Sequence, residues 1–217
     1  MATETKVLIG IGITTLVIVI TAAYFIGGKP TASVANTKPI ENVDALVRKD
    51  SHSEGPDNAK VVFVEFADFQ CPGCAVASPI VKQLRGEYKG KIKYVFRQYP
   101  LQMHQYSNLA AQSAESAGGQ GKFFEMEDKL FSGQDEWSVS QKPLDIFIRY
   151  AKEIGLDTEK FKKDVESEKY AKKVEADIKD GNAIGIDYTP TFFINGVKQE
   201  GGFDYKTYKN QFDELLK

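Results

Sequence analysis

The sequence predicts an α/β domain with a helical insertion, carried behind a single N-terminal membrane-spanning helix. Three observations lead there. Residues 7–26 form an uncharged apolar run; β-rich segments lie at 61–66, 92–100 and 191–195; and helical periodicity fills residues 101–185, between the second and third of those segments. The chain has 217 residues, 42% of them apolar and 27% charged, so it can build a core and is not disordered by composition. Lys plus Arg number 28 against 30 Asp plus Glu, and a net charge of -2 offers no electrostatic case for nucleic acid. With only Cys71 and Cys74, a disulfide-stapled scaffold is excluded.

Residues 1–6 make a short tail before the apolar run. A helix over 7–26, at ~1.5 Å per residue, spans roughly the 30 Å hydrocarbon core of a bilayer. The run is apolar on every face and exceeds the ~7–15 residues of a signal-peptide core, so it reads as an uncleaved anchor, with a cleaved leader as the competing reading. Lys6 and Lys29 flank the span and set its orientation only weakly; a short tail with the bulk of the chain translocated is the simpler topology. Residues 27–55, rich in Gly, Pro, Ser, Thr and Asn, read as a flexible tether with one helical turn near 43–47 and a solvated His52. The folded domain then covers 56–217.

That domain opens with VVFVEF at 61–66, a run suited to a strand buried on both faces. Cys71-Pro72-Gly73-Cys74 follows and begins a helix, in which Val76, Ile80, Leu84 and Tyr88 recur at spacings of four. Pro72 suits the first helical turn, and Pro79 should kink the helix. A second strand at 92–100 leads into the helical block. There Ala110, Ala111, Ala114 and Ala117 form a small-residue face, Phe123, Phe124, Leu130 and Phe131 a bulky one, and Trp137 reads as core. The Lys- and Glu-rich run at 160–179 reads as a solvated helix face. The chain returns to strand at 191–195, turns at Asn195-Gly196 into a hairpin, and ends in an amphipathic helix carrying Tyr205, Tyr208, Phe212 and Leu215.

The chemistry lies in the cysteine pair. A thiolate is the attacking species in disulfide exchange. The first cysteine of a C-x-x-C that opens a helix faces unsatisfied backbone N–H groups and the positive end of the macrodipole, which stabilise its anion. Cys71 is therefore the candidate nucleophile, and Cys74, one turn further in, the candidate resolving thiol. A structural disulfide closing so short a loop would constrain little of the unfolded chain. A zinc site needs about four ligands, and one C-x-x-C with two scattered histidines does not supply them.

The segments EFADFQCPGC (65–74), GKFFEMEDKLF (121–131) and YTPTFFING (188–196) together resemble the DsbA-like thiol–disulfide oxidoreductases of the thioredoxin superfamily. The resemblance covers roughly 56–217 and implies a thioredoxin-like fold with a helical insertion. It implies that Thr189-Pro190 is a cis peptide whose loop faces the cysteines and, with Pro72 and Gly73, meets the substrate; an ordinary trans proline opening the strand is the alternative. Glu65 matches the family's buried acid, which relays protons to the resolving thiol; the alternative is a strand glutamate facing solvent. Gly73 stands where strongly oxidising members often carry His, so the direction of electron flow stays open. His104 falls in a family-like phrase, YPLQMHQYS, with a capping or packing role. The resemblance further implies exported protein substrates with free thiols, a quinone-linked membrane partner that reoxidises the pair, an extracytoplasmic location at the cell membrane, and no cofactor. A reductase or isomerase of the same fold, and a redox-gated peptide-binding module without turnover, are the rival readings.

Overall fold

The computed structural model describes residues 39–40 and 43–217. The anchor expected over 7–26 lies outside them; among the described residues no helix is long and apolar enough to cross a membrane. The elements run α1 (Val43–Leu46), β1 (His52–Glu54), β2 (Val61–Ala67), α2 (Pro72–Glu87), β3 (Ile92–Gln98), then six helices, α3 (Ser107–Gly118), α4 (Phe123–Ser132), α5 (Gln134–Trp137), α6 (Pro143–Glu153), α7 (Thr158–Glu166) and α8 (Ala171–Ala183). The hairpin β4 (Thr191–Ile194) and β5 (Val197–Lys198) and a closing helix α9 (Tyr205–Leu215) complete the chain.

The strands form one sheet in the order β1-β3-β2-β4-β5. β2 and β3 are parallel, with Val61 opposite Ile92 and Ala67 opposite Gln98, and the other pairings are antiparallel. β2 is therefore the central strand. Its side chains alternate between two apolar layers, as the period of two in a strand requires. Phe63 and Ala67 join the larger layer with α2, α9 and the insertion, while Val64 and Phe66 join a smaller one with Leu46, Ile186 and Phe193. Glu65 is buried on this central strand, opposite Phe96 on one side and Phe192 on the other, and no sheet edge opens it to water. Asn195 and Gly196 both take positive φ, as a two-residue hairpin turn of this hand demands. Trp137 is fully buried, as read from the sequence, and its indole N–H donates to the Leu130 carbonyl at 2.7 Å.

Four expectations are corrected. The tether is shorter than 27–55: Ala45 and Leu46 are buried, and β1 extends the sheet with His52 opposite Phe96. His52 is not simply solvated. It stacks on Phe123 with ring centroids 3.7 Å apart, and its Nε2 lies 2.8 Å from the buried Glu115 carboxylate. Gly118 makes room for it, since a Cβ there would come within 2.5 Å of the imidazole. The buried stripe of α2 is Cys74, Ala77, Val81 and Leu84; of the 76–80–84–88 series Leu84 and Tyr88 are buried, Ile80 is half-buried and Val76 is exposed. Steps of four residues advance about 40° beyond a full turn each time, so such a series walks off any one face. Pro79 lies inside the helix, as read from the sequence. Last, the charged run at 160–179 is not all solvated. Asp177 is buried against the Arg97 guanidinium at 2.9 Å, and Lys173 reaches Glu115 at 2.8 Å.

His52 thus ties a segment that reads as linker to a buried carboxylate. His52→Ala removes a ring stack and one partner of Glu115, and should lower the unfolding free energy by about 2 kcal/mol in urea titration. An unchanged midpoint would show that β1 is not part of the cooperative unit.

Candidate active site

The site is built where β2 ends. Asp68 turns the chain: its buried carboxylate accepts from the backbone N–H of Gln70 at 2.7 Å and of Leu101 at 2.9 Å, and lies 2.6 Å from His104 Nδ1. His104 therefore holds this loop in place, the packing role read from its sequence context. Cys71 is the N-cap of α2, in extended conformation, and Pro72 occupies the first turn where its missing N–H leaves no gap. The Cys71 carbonyl accepts the first helical bonds, from Cys74 and Ala75. Gln134 of α5 braces the same loop from the insertion, its side-chain amide donating to the carbonyls of Phe69 at 2.6 Å and Cys71 at 3.1 Å. Nothing in the local pattern around Gln134 announces this contact, which exists only because the insertion folds back over the loop.

Both cysteines are free thiols. Cys71 keeps 8% exposure and Cys74 none. The Thr189–Pro190 peptide is cis, and the Cys71 thiol donates to the Thr189 carbonyl at 3.3 Å. A Cβ on Gly73 would lie 3.4 Å from Pro190 and 3.6 Å from Cys71 Sγ, which is ordinary contact, so glycine is not sterically required between the cysteines. Pro72, Gly73, Thr189 and Pro190 line one cleft of about 470 Å³, together with the exposed Val76 and with Phe203. The structure thus brings the four positions expected to meet a substrate to one place beside the Cys71 sulfur.

The electrostatics divide the pair. A hydrogen bond from the Cys74 thiol does most to lower the pKa of Cys71, to about 5. The Thr189 hydroxyl and the N–H groups of Gly73 and Cys74 add to it, and burial opposes them. Among the described residues Thr189 Oγ1 is buried without a partner while Cys71 is a thiol, so its proton is available to the thiolate. Burial drives the Cys74 thiol the other way, well above its ordinary value, helped by its bond to Cys71 and by the charges of Cys71 and Glu65. Glu65 is raised to about 8, first by burial and then by the charge of Glu127, while a bond from the Tyr94 hydroxyl opposes both. Among the described residues no cluster of metal-ligating side chains is present.

The thioredoxin family profile matches residues 48–214. The chain belongs to the thioredoxin superfamily. Its form is DsbA-like. It is similar to alpha-DsbA1 of Wolbachia pipientis, at 24% identity and a TM-score of 0.70, over 79% of this chain and 93% of that one. It is also similar to BdbD of Bacillus subtilis, at 25% identity and a TM-score of 0.69, over 83% and 96% of the two chains. Among curated proteins it is 37% identical over 166 residues to the Na(+)/H(+) antiporter NhaA 3 of Salinispora tropica, covering 75% of this chain and 24% of that protein. The chain thus spans about a quarter of the length of the curated relatives it matches. The thioredoxin-like fold with its helical insertion is the one expected from 56–217, extended at its N-terminal side.

For this thioredoxin-superfamily domain the rate of Cys71 alkylation by a neutral haloacetamide should be flat above about pH 6, because the thiolate is already formed there, and should fall to half near pH 5. Thr189→Val removes a donor to the anion and should move that midpoint up by about one unit. A midpoint near that of free cysteine in the unmodified protein would contradict the assignment of Cys71 as a stabilised thiolate.

Proposed function

We propose that the protein is an extracytoplasmic thiol–disulfide oxidoreductase, held at the cell membrane through residues 7–26, that oxidises cysteine pairs of exported proteins. The observation that carries this reading is the division of the pair: Cys71 bonded to Thr189 beside the cleft, with a stabilised thiolate, and Cys74 fully buried with its thiol kept neutral. A reduced state in which one sulfur rests as a stable anion favours electron uptake by the disulfide, because the leaving thiolate is the stabilised form.

In the oxidised protein a substrate thiolate attacks Cys71 Sγ. The Cys71–Cys74 bond breaks, and its electron pair leaves on Cys74, which takes a proton. A second substrate thiolate attacks the substrate sulfur of the mixed disulfide and releases Cys71 as its thiolate. The substrate loses two electrons and gains a disulfide, and the pair gains those electrons. The peptide groups around cis Pro190, with Pro72 and Gly73, present the cleft in which an extended substrate segment lies. Turnover then requires an electron acceptor, and the resemblance to DsbA-like proteins makes a membrane redox partner the natural one. The antiport named for the Salinispora relative is not carried over, since three quarters of that protein has no counterpart here.

Cys71→Ser should reduce oxidation of a reduced, unfolded substrate protein to the uncatalysed background. Cys74→Ser should retain exported proteins as mixed disulfides on Cys71, visible as reducible adducts by mass spectrometry. Full activity in Cys71→Ser would overturn the enzymatic reading. Recovery of no adducts from Cys74→Ser would remove Cys71 as the attacked sulfur.

A further inference from the structure

Glu65 does not stand alone in the core. The Tyr94 hydroxyl on β3 lies 2.6 Å from Glu65 Oε2 and 3.2 Å from Glu127 Oε1 on α4, so one phenol bridges two buried carboxyl groups. Glu127 Oε2 accepts from Arg85 on α2 at 2.7 Å, and Arg85 continues to Glu54 at 2.7 Å. The guanidinium packs over the Tyr94 and Phe124 rings, 4.8 and 4.4 Å from their centroids. Glu54, Arg85 and Tyr94 line a cleft of about 640 Å³ with Lys82, Tyr88 and Asp128. Arg85 is in the last turn of α2 and Cys74 in its first, about 16 Å apart along the axis. At the inner end, Glu65 Oε1 is buried without a hydrogen-bond partner among the described residues, leaving one carboxyl oxygen free to take a proton.

Cys74 has a proton to exchange at the moment when the active-site face is least open. Its sulfur is fully buried, and a substrate joined to Cys71 would cover that sulfur and the neighbouring cleft at Pro190. We infer that Glu65, Tyr94 and Glu127 form a proton path from the Cys74 thiol to solvent at the cleft beside Arg85, away from the substrate. The inference rests on the thiol-exchange reading above and deepens it.

When Cys74 resolves a mixed disulfide, its thiol proton passes to the Glu65 carboxylate as its sulfur attacks Cys71 Sγ. The bond from Cys71 to the substrate sulfur breaks, and the electron pair leaves on the substrate thiolate. Glu65 then gives a proton to the Tyr94 oxygen while Tyr94 gives its own to Glu127, so the phenol is neutral before and after. Glu127 does not line the cleft itself; its side chain keeps 4% exposure against Arg85, which does, and the proton leaves to water there. Oxidation of a substrate runs the path inward, since Cys74 then leaves as a thiolate and must be protonated.

The charged surroundings suit a shared proton. Glu65 is faced by Cys74 and Arg85 of α2, Tyr94 of β3, Glu127 of α4 and Tyr208 of α9. Glu127 is faced by Arg85, Tyr94 and Asp128, and it too is raised, to about 7, by burial that Arg85 only partly offsets. Two carboxyl groups of matched, near-neutral affinity pass a proton in either direction without a large uphill step. Burial keeps the Tyr94 phenol from ionising.

The test uses the full chain, reduced, mixed in a stopped-flow instrument with an aromatic disulfide that releases a coloured thiolate. Attack by Cys71 releases the first equivalent, and resolution by Cys74 the second. Tyr94→Phe removes one hydroxyl and keeps the ring. It should slow the second phase about tenfold or more, while the first stays within about twofold. The second phase should show a solvent deuterium isotope effect that shrinks in Tyr94→Phe, and Glu127→Gln should shift its pH profile; neither change is expected of a residue that only packs. If Tyr94→Phe and Glu127→Gln keep the second phase of the unmodified protein, whether or not Glu65→Gln slows it, the path is overturned and thiol exchange stands. If the unmodified protein releases only one equivalent, resolution by Cys74 fails and the path falls with it.

Discussion

Two sulfurs one helical turn apart are hydrated unequally, and the rest of the site is arranged around that difference. Cys71 caps α2 and keeps 8% exposure, whereas Cys74 has none. A thiol in the core is penalised for ionising, and a thiol at a helix N-terminus is rewarded for it. Each sulfur strengthens the effect on the other, because the neutral Cys74 donates to the anion that Cys71 becomes. The side chains of Asp68, His104 and Gln134 hold the loop that puts one sulfur at the surface and one inside, and the Asp68 backbone N–H also bonds to Cys74.

The same burial that defines the pair destabilises the fold under some conditions. Glu65 has a folded-state pKa above its ordinary value of 4.5, so the stability associated with its protonated form is complete below that value and is lost as pH rises toward 8. Cys71 has the opposite sign. Its anion stabilises the reduced domain at pH above the ordinary thiol value of 9.0, and that contribution is lost as pH falls through about 5. The two trends oppose each other near neutrality, where the reduced state must both persist and remain reactive.

What the sequence revealed follows from how local each signal is. The strand-to-helix junction at Cys71, the central strand at 61–67 and the hairpin at Asn195-Gly196 are specified by neighbouring residues, and their positions could be read directly. Pro190 needed the resemblance as well, since a proline before a strand has two isomers. The segment 43–55 misled because its composition is that of a linker. Its order comes from distant partners: Glu115 and Phe123 for His52, and Arg97, whose guanidinium donates to the Ala45 carbonyl at 2.7 Å. Tyr94 and Glu127 were hidden for the same reason, since on their own elements they resemble a strand aromatic and a helix-surface acid. Buried polar groups are selected by pairing in space, and pairing in space leaves no period in the chain.

The central claim is that stabilisation of the Cys71 thiolate makes the pair an electron acceptor. The equilibrium between the Cys71–Cys74 dithiol and glutathione, read at neutral pH by the fraction of disulfide, measures it directly. The account predicts a reduction potential above about −200 mV, in the range of oxidants that give disulfides to other proteins. A potential near the roughly −270 mV of thioredoxin would contradict it, and would assign the same geometry to a reductant.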